Sequence, residues 1–173
     1  MKKLILLILV LVVSCSGPRV VYDYDKKVSF DDFKTYNFYP EMKTGLSQLD
    51  DKRLFFQVDS VLQSKGFTKS ETPSFYINMV SEEFLNDNRS SIGIGLGGTG
   101  RSVGVGVSGG IPIGNPQTNR EIVFDLIDVE RNELMWQASA ISVVREKTTP
   151  IQKEAYFRNM IKKVFKKFPP EKK

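Results

Sequence analysis

The chain contains no histidine in its 173 residues. That absence removes the imidazole general base, Ser-His-Asp and Cys-His catalysis, and histidine metal sites. Cysteine occurs once, as Cys15, so neither an internal disulfide nor a cysteine-built zinc site can form. Long apolar runs are also missing. A membrane-crossing helix needs roughly 20 apolar residues, whereas the run from Leu4 to Val13 has ten. Tryptophan is single too: Trp136 sits in an apolar, strand-like stretch where a core position is expected. Any catalysis would have to use carboxylates, lysines, hydroxyls or a bound cofactor.

What is present starts at the N-terminus. Met1-Lys2-Lys3 precedes the apolar run, and Ser14-Cys15-Ser16 follows it. This is the order of a positive n-region, a signal-peptide h-region and a small residue before a thiol. Val12-Val13-Ser14-Cys15 looks like a bacterial lipobox, with cleavage between Ser14 and Cys15 and diacylation of Cys15. The reading is a lipoprotein signal peptide over residues 1–14, a lipidated tether over 15–20 and one domain over 21–170. Acylation would remove a thiol that is a liability in an oxidising compartment, and two or three acyl chains anchor stably. Ser16 suits outer-membrane sorting in some Gram-negative lineages, and no acidic run of the kind linked to surface export follows it. The expected location is the outer membrane, lipid-anchored and facing the periplasm.

The formal charge of +5 falls to +3 when Lys2 and Lys3 leave with the signal peptide. Much of the excess gathers in Lys162, Lys163, Lys166 and Lys167, with Lys172 and Lys173 beyond. Such a run is either the solvated face of a terminal helix or a contact for anionic headgroups. No nucleic-acid-binding motif accompanies it, and no nucleic-acid partner is expected.

Val20–Asp25 and Thr35–Tyr39 are rich in β-branched and aromatic residues and read as strands, with a turn at Phe30–Phe33 between them. Ser47–Lys65 reads as a helix whose apolar stripe is Leu54, Val58, Val61 and Leu62. Ser47 or Asp50 can cap it, and Gly66 stops it. Phe75–Val80 is a buried strand, and 121–129 with 134–141 an antiparallel pair. Thr149-Pro150-Ile151-Gln152 opens the last helix with a capping box, and Phe157, Ile161, Val164, Phe165 and Phe168 form its apolar face.

Between residues 91 and 114, apolar residues alternate with glycine: Ile92, Ile94, Leu96, then Val103, Val105, Val107. Period two predicts a glycine-rich hairpin, weak because glycine weakens strands. Gly95 to Gly100 formally matches G-x-G-x-x-G, but a strand rather than a helix follows, so no dinucleotide site is read and no cofactor is expected. The acidic pairs Asp23/Asp25, Asp31/Asp32, Glu82/Glu83 and Asp125/Asp128 are the candidates for acid–base work. Asp125 and Asp128 fall on opposite strand faces, and no loop has calcium-site spacing, so no metal is expected.

In this order the elements resemble domain-of-unknown-function family 4136, a group of Gram-negative envelope lipoproteins. The resemblance rests on Val21-Tyr22-Asp23-Tyr24-Asp25, Phe30–Tyr36, Lys65-Gly66-Phe67, Leu126-Ile127-Asp128 with Glu133–Gln137, and Phe168-Pro169-Pro170. Pro73-Ser74-Phe75 departs from the family pattern, which has an aspartate after the proline. The resemblance implies a single α+β domain: a mixed, mainly antiparallel sheet with two helices on one face and charged residues on the other. Phe55, Val58, Leu62, Phe157, Ile161 and Phe165 would fill the helix–sheet core. It implies no activity, ligand or catalytic residue. The functional expectation is a non-enzymatic lipoprotein that binds a protein partner in the envelope. The alternatives are a carrier of lipid or another apolar ligand and, behind it, a carboxylate-based hydrolase.

Overall fold

Alternating apolar residues build the strands, and the computed structural model describes residues 17–86, 90–93, 110–113, 117–145 and 147–171. Ser14, Cys15, the Gly95–Gly100 motif and most of the glycine-rich stretch lie outside the described residues. In chain order the elements are β1 (Arg19–Tyr24), β2 (Thr35–Phe38), α1 (Gln48–Ser64), β3 (Thr68–Lys69), β4 (Phe75–Asn86), β5 (Ser90–Gly93), β6 (Gly110–Ile113), β7 (Gln117–Asp128), β8 (Glu133–Val143) and α2 (Pro150–Val164). Short 3-10 turns occupy Phe30–Asp32 and Phe165–Lys167.

Six strands form one mixed sheet in the order β1-β8-β7-β4-β2-β3. The first four are antiparallel neighbours, whereas β2 runs parallel to both β4 and β3. β5 pairs with β6 separately, Ser90 opposite Ile113 and Gly93 opposite Gly110. Of the glycine-rich hairpin expected over 91–114, only this paired base is described.

β4 and β7 are longer than the apolar pattern suggests, twelve residues each. Ser81-Glu82-Glu83 breaks the apolar pattern of β4 but not its pairing, because Arg120 on β7 donates through Nε (3.2 Å) and an η nitrogen to Glu83. On β8 the register slips between Leu126 and Ile127, leaving Met135 as an extra residue. A bulge of this kind breaks strict alternation, and Met135 and Trp136 are both buried.

Both helices begin at the side-chain caps their sequences suggest. Ser47 Oγ accepts from the Asp50 amide (3.3 Å), and Thr149 and Gln152 form the reciprocal capping box. Ser47 is the cap of α1, because the helix begins at Gln48 and places Asp50 inside its first turn, where Asp50 bonds Lys153 and Arg53. α1 ends at Ser64 with Lys65 as its C-cap, and Gly66 follows with a φ of 91°, which suits glycine. α2 stops at Val164 and tightens into the 3-10 turn, five residues ahead of Pro169.

The helices pack on the same sheet face through a continuous aromatic layer. The Trp136 and Phe165 rings stack at 5.6 Å, Phe168 meets both, and Phe38 of β2 packs on Phe55 of α1 at 4.8 Å. Val58, Leu62, Phe157, Ile161 and Phe165 are buried, with Phe55 partly so. This is an α+β domain with an open sheet. Among the described residues no helix is long and apolar enough to cross a membrane.

Candidate functional site

Side chains on the strand positions between the buried ones point to the sheet face opposite the helices. Cross-strand register orders them in rows. One row is Val21, Ser139, Val123 and Val80; the next is Asp23, Gln137, Asp125 and Asn78. A third holds Leu134, Ile127, Tyr76 and Asn37, with Tyr39 packed edge-on against Tyr76 at 5.6 Å. Glu82, Glu121, Ile141 and Arg19 form the row on the other side.

The resemblance implied charged residues on this face, and Arg19, Asp23, Glu82, Glu121 and Asp125 stand there, but they share it with apolar side chains. Of these, Val21 is 56% exposed, Leu134 51% and Val80 38%. The reason lies in β4 and β7, where Val80 faces Val123 and Tyr76 faces Ile127 outside the helix layer. Tyr39, Asn78, Asp125, Ile127, Asn132 and Leu134 line an open hollow of about 450 Å³ in this surface.

The acidic candidates do not converge on one catalytic pair. Asp23 accepts from the Tyr24 amide and Asp25 from the Lys27 amide, both at 2.8 Å, so these two fix local backbone. Asp31 and Asp32 are exposed on the first 3-10 turn. Glu82 and Glu83 point to opposite faces, with Glu83 paired to Arg120. Asp125 lies on the helix-free face and accepts from Gln137 Nε2 at 2.7 Å. Asp128 is buried on the helix side, and its Oδ1 accepts from the Glu130 and Arg131 amides at 2.9 and 3.3 Å. Asp32 and Asp128 line a second hollow of about 400 Å³ with Lys27 and Arg131. Among the described residues no three acidic groups gather as a metal site.

One carboxylate pair escapes a reading of the sequence. Glu82 of β4 stands directly opposite Glu121 of β7, 39 residues later, and Ser139 donates to Glu121. Only the β4–β7 register reveals it. The basic run is placed as well: Lys162, Lys163, Lys166 and Lys167 are exposed on α2 and its 3-10 extension. Lys163 Nζ donates to the Pro18 carbonyl at 2.7 Å.

An open mixed sheet carrying two helices on one face defines the class. The sequence pattern of DUF4136, a domain of unknown function, matches residues 20–170, and the chain belongs to that family. No curated protein matches. A PDZ domain protein from Parabacteroides distasonis is similar in fold, with 14% identity and a TM-score of 0.55. The similarity covers 91% of this chain and 37% of that protein, so the chain spans little over a third of its length. Two PelC dodecamers from Paraburkholderia phytofirmans show 13% and 12% identity with TM-scores of 0.46 and 0.49, each over 86% of this chain and 94% of that one.

Proposed function

We propose that the chain is a non-enzymatic envelope lipoprotein, anchored through an acylated Cys15, that binds a protein partner on the helix-free sheet face. The observation that carries this reading is the composition of that face. Apolar Val21, Val80, Val123 and Leu134 surround a polar row of Asp23, Gln137, Asp125 and Asn78. Protein interfaces have this mixture, apolar area interleaved with hydrogen-bonding groups. A lipid chain laid on the same rows would desolvate Asn78 and leave the Asp125 carboxylate with only its bond from Gln137, which is costly. The space between sheet and helices, where an apolar cargo could sit, is occupied by Trp136, Phe124, Phe165 and Phe168. The acidic side chains serve turns and cross-strand bonds, which supports binding over catalysis.

Two measurements test the two halves. Metabolic labelling with a palmitate analogue is expected to mark the wild type and not Cys15→Ala; equal labelling would remove the anchor. Lysines introduced at Val80 and Val123 are expected to abolish crosslinked complexes formed in cells while leaving the fold intact. Unchanged complexes from a folded double variant would remove the sheet face as the binding surface.

A further inference from the structure

We infer that the β1–α2 edge of the domain lies against the membrane, held there by the basic face of α2 acting on anionic phospholipid headgroups. The inference extends the anchored-lipoprotein reading and takes from it the acylation of Cys15. It starts from the contact between Lys163 and the Pro18 carbonyl, 2.7 Å, which ties the C-terminal part of α2 to the point where the tether enters the domain.

Reach sets the scale. Pro18 is three residue steps beyond Cys15, and a fully extended chain spans at most about 3.6 Å per residue, so about 11 Å. The screening length at physiological ionic strength is about 8 Å. Lys163 is therefore tethered within about 14 Å of the acylated residue, under two screening lengths. Lys162 and Lys163 lie in the last turn of α2, and Lys166 and Lys167 on the 3-10 turn that continues it. All four are exposed, and none is ion-paired to a carboxylate among the described residues. Arg158 adds an exposed charge on the same helix, and the one carboxylate of α2, Glu154, lies in its N-terminal half. The opposite sheet edge, β3, is five strand spacings from β1, about 24 Å at 4.8 Å each. Lys69 on β3 and Lys65 just before it serve as internal controls.

With this edge against the membrane, the sheet stands roughly across the surface and its helix-free face opens sideways into the periplasm. A partner could then approach that face without displacing lipid. The lysine run and the sheet face serve different contacts, one with lipid and one with protein.

The test uses the mature chain, incubated with vesicles of phosphatidylcholine alone or of phosphatidylcholine with phosphatidylglycerol. Flotation reports the acyl anchor, and a membrane-impermeant amine reagent with peptide mass spectrometry reports each lysine. Flotation with both vesicles is expected, with Lys162, Lys163, Lys166 and Lys167 labelled at least about threefold more slowly on the anionic ones. High salt is expected to remove that protection. Lys65 and Lys69 should label equally on both. Flotation with both vesicles but equal labelling of the four lysines overturns the inference and leaves the anchor standing. Flotation with anionic vesicles alone, lost in a Lys→Gln variant at all four positions, supports the patch and removes the anchor. Flotation with neither overturns both.

Discussion

Lys153 Nζ lies 2.9 Å from Asp50 Oδ2, an ion pair that joins the first turns of two helices across 103 residues of chain. Asp50 also accepts from Arg53 at 2.8 Å and is 5% exposed, so α2 is fastened to α1 at a half-buried junction. Burial raises the Asp50 carboxyl, but the hydrogen bond and charge of Lys153, with Ser47 and Arg53, outweigh it and hold the group below the ordinary carboxylate range.

Asp50→Ala is expected to cost about 2 kcal/mol at neutral pH, because it strips charge-assisted bonds from two cations. Lys153→Met should cost less, about 1 kcal/mol, since Lys153 is partly exposed and Asp50 keeps Arg53. A folded-state value below the unfolded one means the Asp50 contribution is full above about pH 4 and lost as pH falls through the lower value. Urea unfolding at neutral and acidic pH checks both the order and the sign.

Tyr36 gives the opposite end of the pH scale. Burial pushes its hydroxyl up to about 12, Gln63 opposes, and the nearby Asp59 carboxylate, which accepts from it at 3.0 Å, adds to the rise. The unfolded tyrosine ionises near pH 10, so stability should fall between about pH 10 and 12 with a slope of at most about 1.4 kcal/mol per unit. Tyr36→Phe should remove that component of the slope. Chemical denaturation of both proteins across this window reads it directly.

Two glycines with positive φ should respond differently to alanine. A Cβ on Gly45 (φ 79°) would stand 2.7 Å from the Ser81 carbonyl oxygen, whereas one on Gly66 (φ 91°) meets nothing within 4 Å. Gly66→Ala is expected to cost about 1 kcal/mol from backbone strain, and Gly45→Ala more than about 2 kcal/mol because a backbone clash is added. Thermal unfolding separates the pair.

Trp136 offers a third contrast. It is fully buried beneath Phe165 and Phe168, yet its indole N–H has no partner among the described residues. Trp136→Ala should cost about 3–5 kcal/mol. Trp136→Phe should cost less than half of that, because it keeps most ring contacts and removes an unsatisfied donor. The two midpoints in denaturant decide it.

Local features were legible from sequence because their physics is local. Ser47, the Thr149–Gln152 box and the stripe of Val58, Leu62, Phe157 and Ile161 depend on residues within a few positions of one another. Trp136 was legible as core on the same grounds. The strand order was not. Pairing of β4 with β7 joins segments some fifty residues apart at Phe75 and Asp128, and Ser81-Glu82-Glu83 hides half of it. The candidate surface follows from that register: Asn78 opposite Asp125 and Val80 opposite Val123 are invisible until the strands are aligned. Lys163 at Pro18 is a contact across 145 residues, which no period along the chain encodes.

The central claim is that the helix-free sheet face meets a protein partner, and site-specific photocrosslinking in living cells tests it most directly. A photoreactive residue placed in turn at Asn78, Val123 and Ser139 is compared with Ser60 and Gln63 on α1. The prediction is one discrete higher-mass adduct from all three sheet positions and none from the helix positions. Adducts from Ser60 and Gln63 alone, or no protein adduct from any sheet position in a folded and anchored chain, would contradict it.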